Sequence, residues 1–443
     1  MAARVGKSQM SSDMAAASKA SSNYRYLVVF MLAVAYTLNF LDRQIVSILA
    51  EPIRTDLNLS DTQLGLLGGI AFALFYTTFG IPIGWLADRA NRVWIISASV
   101  AIFSAFTALC GTATNFVQLA LYRMGVGIGE AGGSPPSYSL ISDYFKPEER
   151  GTALALYSLG VPVGSMFGSA LGGWIAAEHG WRAAFFAMGI PGLIIAVLLL
   201  VIIREPKRGG LDVLAPGQLA HDKPPPIFTA IAGFFSNRTL VCTALAAGLS
   251  AFVGYAALTW NPPFLMRVKG MSLMEVALYY SLVLGITGMI GTFGAGWLAD
   301  RLSRRDRRWF AWLPAITFTI TIPFWIAMLY APTWQIALGC AAVPALLNNC
   351  YLAPALAVVQ NSVLPNRRVI SGAVLLFVLN LIGLGIGPVY VGRISDMAKP
   401  EYGDNSLIIG FAALIPMIVV TIVAHMVSAW SIGRDKAMAE AAG

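Results

Sequence analysis

Charge is scarce in this sequence. Asp, Glu, Lys and Arg make up 12% of its 443 residues, against about 25% in an ordinary soluble domain. That shortage excludes a water-soluble globule. Cysteine is scarce too. Cys110, Cys242, Cys340 and Cys350 each sit in an apolar run, and no pair has redox or metal-ligand spacing. Neither a disulfide nor a zinc site is expected. The three histidines, His179, His221 and His425, are scattered, whereas zinc needs three or four converging ligands. No nucleophile–base pair emerges, so an enzyme is not expected. The short alternating segments of a membrane β-barrel are missing. An apolar leader is missing as well: residues 1–25 are rich in Ala, Ser and Lys and read as a disordered cytoplasmic tail, not a signal peptide.

What the chain has instead is apolar length. Hydrophobic residues are 57% of it, in runs long enough to cross a bilayer as helices, which takes about 20 residues each. Spans are expected near 26–50, 63–86, 93–112, 115–142, 151–176 and 182–203, then near 238–266, 273–299, 308–330, 333–362, 369–395 and 406–430. The reading is an all-α membrane protein with twelve transmembrane helices in two six-helix bundles, 26–203 and 238–432. A polar, Pro-rich cytoplasmic linker, 204–237, separates them, and its apolar end, Ile227 to Phe235, suits an interfacial helix. Residues 433–443 form a second cytoplasmic tail.

The net charge of +8 does not call for nucleic acid. Of 30 Lys and Arg, 22 fall in the two tails and the even-numbered loops. Arg43, Arg54, Arg182, Arg267, Lys269, Arg393 and Lys399 lie in the odd-numbered loops, and Arg123 lies within a span. That asymmetry places both termini in the cytoplasm, with a bacterial inner membrane as the expected site and a monomer as the expected state.

The halves repeat. Gly84-Trp85-Leu86-Ala87-Asp88-Arg89 returns 212 residues later as Gly296-Trp297-Leu298-Ala299-Asp300-Arg301. Pro147 to Arg150 aligns with Pro365 to Arg368 at an offset of 218, which Pro136 and Pro354 share. Duplicated six-helix halves are a recurring transporter plan, with the binding site at their interface.

The fourth span carries two opposite charges, Arg123 and Glu130, among Gly125, Gly127, Gly129, Gly132 and Gly133 and just before Pro135 and Pro136. Seven residues apart, the charges project from nearly one helix face, about 10 Å apart along the axis. Asp42 and Arg43 lie in the outer half of the first span, with Asn39 three residues before Asp42 on the same face. Charges retained inside a membrane face a partner or a wet cavity.

The two GWLADR segments resemble the loop motif of the major facilitator superfamily. Asn39-Phe40-Leu41-Asp42-Arg43, Gly127-Ile128-Gly129-Glu130-Ala131 and Tyr157-Ser158-Leu159-Gly160-Val161-Pro162-Val163-Gly164 resemble the spinster family, whose members export lysolipids, sphingoid lipids and related amphiphiles. The first two of these motifs also resemble proton-coupled organic-anion symporters.

The resemblance implies a secondary transporter without a cofactor, energised by a proton gradient. It brings Asp42 and Arg43 towards Arg123 and Glu130 as a proton-coupling group. Gly84, Asp88, Arg89, Arg92, Asp300 and Arg301 become a cytoplasmic latch that favours the outward-open state. The offsets map Asp42, Arg123 and Glu130 onto Gly254, Ala341 and Asn348, so the second half keeps the frame without the charges. Its Trp260, Asn348, Asn349, Tyr351, Phe377 and Asn380, with Tyr36 and Asn39 from the first half, are the expected substrate surface, suited to an amphiphile. Proton-driven uptake of a small organic anion is the alternative. A non-transporting receptor on the same fold is a second one, and the intact loop motifs in both halves argue against it.

Overall fold

The computed structural model describes residues 2–87, 89–207, 227–363 and 367–442. These residues are helical and carry no strand. In the first half, α1 is Ala2–Ile48, with its apolar part at Asn23–Ile48. It is followed by α2 Asp61–Ala87 and α3 Arg92–Cys110. Next, α4 comes in two pieces, Phe116–Glu130 and Ser134–Tyr144. A last pair, α5 (147–179) and α6 (181–202), is one long run divided at Gly180. In the second half, α7 is Arg238–Arg267, α8 Leu273–Ser303, α9 Trp309–Tyr330 and α10 Trp334–Asn361. They are followed by α11 (368–402) and α12 (406–442). Among the described residues these make twelve helices, six in each half.

The boundaries follow from local chemistry. Gly180 has φ 81° and ψ 161°, a geometry open to glycine and strained for other residues. Asn91, Asn115 and Asn237 cap α3, α4 and α7 by accepting from the backbone N–H three residues on. Ser60 and Gln63 form a reciprocal capping box at α2. The break in α4 follows from Pro135 and Pro136, which have no N–H to donate and suit the first turn of a new helix. In α11 the backbone widens into a π turn over Asn380–Ile386, just before Gly387 and Pro388.

Residues 2–22, expected as an unstructured tail, continue α1 as helix. Their Ala and Lys content favours helix even without an apolar face to bury. Most of the central linker, residues 208–226, lies outside the described residues. Its end forms a separate helix, Ile227–Ser236, whose Phe234 is buried against Leu240, Ala244 and Leu375 of the second half.

Small residues set the close contacts. Along α5, Gly160, Gly164 and Gly168 lie against the α1 backbone at Ala33, Thr37 and Leu41, where a side chain has no room. The seams between the halves include α2–α11 and α5–α8. At α2–α11, a Cβ on Gly65 would sit 2.6 Å from the Pro388 carbonyl oxygen. At α5–α8, Gly173 faces Ala277 and Gly285 faces Met166.

Candidate functional site

Asp42 and Arg43 are neighbours on α1, yet they reach two different residues of α4. The Asp42 carboxylate accepts from Arg123 Nη1 at 2.6 Å, and its other oxygen accepts from the Thr107 hydroxyl on α3. Arg43 Nε donates to Glu130 Oε2 at 2.8 Å. The Phe72 ring lies 5.0 Å from the Arg43 guanidinium and 5.4 Å from that of Arg123, so one aromatic ring serves both cations. Phe40 and Tyr76 complete the cage around Arg43 at 5.0 and 4.8 Å.

The Asp42, Arg123 and Glu130 side chains are at most 3% exposed, and Arg43 is 13% exposed. Two acids and two arginines make the cluster neutral overall, as burial in a low dielectric demands. Satisfaction is incomplete: Glu130 Oε1 and Arg123 Nε are buried without a hydrogen-bond partner. The family resemblance places these four charges in one group. It does not reveal that they sort into two pairs, or that Thr107 is the third partner.

Beside the pairs lies a cavity of about 510 Å³ walled by both halves. Arg43, Arg123 and Tyr36 reach it from the first half, and Asn348, Asn349 and Tyr351 from the second. Gln44, Ser47, Asn261 and Trp325 also line it and were not anticipated. Ser47, Asn261 and Trp325 have apolar neighbours in sequence, so nothing local marks them as lining, whereas Gln44 follows Arg43. Ser47 ties the halves together, donating to the Leu258 carbonyl at 2.6 Å.

Four expected cavity residues are elsewhere. Trp260 is fully buried behind the wall, its indole N–H bonded to the Pro388 carbonyl at 2.8 Å. A large ring with one donor fits such a packing site between α7 and α11. Phe377 is exposed, and Asn380 begins the wide turn of α11. Asn39 is buried within the first half. None of the four is in the cavity wall.

On the side away from the linker, charge bridges the two halves. Arg267, at the end of α7, donates to Asp61 at 2.8 and 2.9 Å and to Glu51 at 2.7 and 3.1 Å. Asp61 also accepts from Ser395 of α11 at 2.6 Å. Asp396 accepts from the backbone N–H groups of Asp61 and Thr62, the N-terminus of α2, where an anion is favoured. The network crosses between halves and was not anticipated: Arg267 reads in sequence as one of a few odd-loop arginines. Glu51, one residue past the expected span end at 50, was the available signal.

A sequence profile of the Major Facilitator Superfamily matches residues 32–388. The chain belongs to the major facilitator superfamily. It is similar to an MFS-type efflux pump of Mycolicibacterium smegmatis, 34% identical over 387 residues, which are 86% of this chain and 87% of the pump. The crystal structure of a bacterial homolog to the human lysosomal transporter Spinster, inward-facing and unoccupied, superposes with a TM-score of 0.80 at 34% identity. That match covers 92% of this chain and 96% of the other. A hexuronate transporter of Bacillus subtilis is 27% identical over 401 residues, 89% of this chain and 94% of that one. This major facilitator protein is thus an integral membrane transporter and not an enzyme, with a spinster-like fold.

The superfamily's loop motifs lie at the linker ends of α2 and α8. Asp88 lies outside them. A Cβ on Gly84 or Gly296 would meet nothing within 4 Å. Arg89 is exposed and stacks on Trp85 at 4.0 Å, and Arg301 lies 5.6 Å from the Trp297 ring. Asp300 is exposed. Arg92, expected in the latch, is a buried node of the first half: it bonds Glu205 at 2.7 Å and Asp143 at 2.6 Å. A guanidinium that is 2% exposed needs such carboxylates. The side away from the linker is thus bridged by charge, while Gly84 and Gly296 on the linker side have open space around them.

Proposed function

We propose that this transporter works by alternating access, coupled to protons at Glu130, and exports an amphiphile with a zwitterionic or anionic head. The observation that carries the reading is the buried Glu130 Oε1, which has no partner while Oε2 holds Arg43. An unpaired buried carboxylate oxygen is a ready seat for a proton. Asp42 is held by both Arg123 and Thr107, so it acts as the fixed countercharge.

Charge balance supplies the coupling. A zwitterionic head inserts into the Arg43–Glu130 pair, phosphate to Arg43 and amine to Glu130. A proton on Glu130 removes the amine's partner and weakens binding, so proton and cargo compete and exchange. The apolar and aromatic walls, with Phe40, Phe293 and Trp325, suit the acyl chain. The Arg267–Asp61–Glu51 network is the outer gate, and the GWLADR motifs form the inner latch when the cavity faces outward. The Lys and Arg asymmetry supports cytoplasmic termini.

A second reading rests on relatives such as the hexuronate transporter. For a small anion, protonation of Glu130 frees Arg43 to bind it, so proton and cargo enter together. Lowering the pH should weaken lysolipid binding but strengthen sugar-acid binding, which separates the two. In proteoliposomes with an imposed pH gradient, Glu130→Gln should abolish gradient-driven movement of a labelled lysolipid. Wild-type coupling in that variant would refute the proton assignment.

A further inference from the structure

We propose that the groove between α9 and α12, on the outer face of the second half, binds an anionic phospholipid of the leaflet on the linker side. The groove encloses about 390 Å³ and shares no lining residue with the transport cavity. Arg308 and Trp312 form its head end on α9, facing Trp430 on α12, while Ile316 and Ile422 line its apolar floor. From Arg308 to Thr319 the helix rises about 16 Å, the length of an acyl chain lying along the protein.

Three arginines from three elements converge on the head end. Arg238, the first residue of α7, lies 4.6 Å from the Trp430 ring, and Arg434 lies 5.8 Å from it. Arg308 covers the backbone of Gly433, where a Cβ would meet its Nε at 2.7 Å. Asp306 faces Arg308 at 3.6 Å, both about half exposed. No ion pair engages Arg238 or Arg434 among the described residues. Arg304, Arg305 and Arg307 add exposed positive charge next to the groove. Trp312 and Trp430 are 48% and 52% exposed, as rings at the headgroup level are. A surplus of positive charge at an aromatic-rimmed, apolar-floored slot is complementary to a phosphate head with a hydrocarbon tail. Zwitterionic lipids offer no net charge to match it.

The test uses the full chain purified in detergent, with phosphatidylglycerol or phosphatidylethanolamine added, read by melting temperature and by native mass spectrometry. Phosphatidylglycerol should raise the melting temperature more and remain bound, less so at high salt. The triple variant Arg238→Gln, Arg308→Gln, Arg434→Gln should lose retained phosphatidylglycerol by roughly tenfold or more. The Lys triple should retain it, as should the control Arg204→Gln. Equal effects of the two lipids on the wild type would overturn the proposal, and this needs no variant to fold. So would unchanged retention in the Gln triple. Glycerophosphate alone matching the whole lipid would overturn the acyl-groove assignment.

Discussion

Asn348 packs against Gly254, and these two residues stand in the second half where Glu130 and Asp42 stand in the first. A neutral amide resting on a bare backbone replaces an acid that faces an arginine. The duplicated frame therefore carries its charges in one half, and the cavity between the halves has one ionic wall and one amide wall. Gly254→Ala should push the Asn348 amide out of its seat and raise KM several-fold while gradient coupling persists. Uptake kinetics at two imposed pH gradients measure both.

Glu130→Gln keeps the shape and removes the titratable oxygen. Exchange of labelled cargo without a gradient should continue, and the response to an imposed gradient should vanish. Binding should also lose its pH dependence, as titration calorimetry between pH 5 and 8 would reveal. A preserved pH dependence would move the coupling site elsewhere.

Arg123→Gln leaves the buried Asp42 carboxylate with Thr107 alone. Breaking one side of a buried pair destabilises by about 3–5 kcal/mol. The variant should therefore melt well below the wild type. The double variant with Asp42→Asn should recover much of that loss, because no unpaired charge remains. A double variant less stable than Arg123→Gln would show that the pair does not act as a unit.

Arg267→Gln removes the bridge between Glu51, Asp61 and α7, which should shift the population towards the outward-open state. Gly65→Val should do the same by steric means, since its side chain would meet the backbone at Pro388. Spin-label distances across the α2–α7 and α2–α11 mouths are the readout, with longer distances expected in both variants. Unchanged distances in both would remove the outer gate from the mechanism.

Trp260→Phe should lower stability by about 1 kcal/mol through loss of its hydrogen bond to Pro388, with KM unaltered. Asn349→Ala, at the cavity wall, should change KM with little change in melting temperature. The reverse pattern would return Trp260 to the binding surface.

The spans, their number and the duplication were legible in the chain because a bilayer core imposes a length and a polarity on each segment. The grouping of Asp42, Arg43, Arg123 and Glu130 was legible through the family resemblance, which brings α1 and α4 together, and each charge inside an apolar run must find a partner. The pairing within that group was not, because it depends on the rotation of α1 against α4 about Phe72. Nor did sequence distinguish Trp260, turned away from the cavity, from Tyr351, turned towards it: both are aromatic residues on apolar helices. The Arg267–Asp61 bridge spans 206 residues and exists only where the two halves meet. Composition and periodicity determined that this chain would fold as a two-part membrane bundle with charge inside it. Only the packing of one half against the other decided which charges touch, which side is shut and what the cavity presents, because those depend on helix rotation and tilt, which contacts between distant segments set.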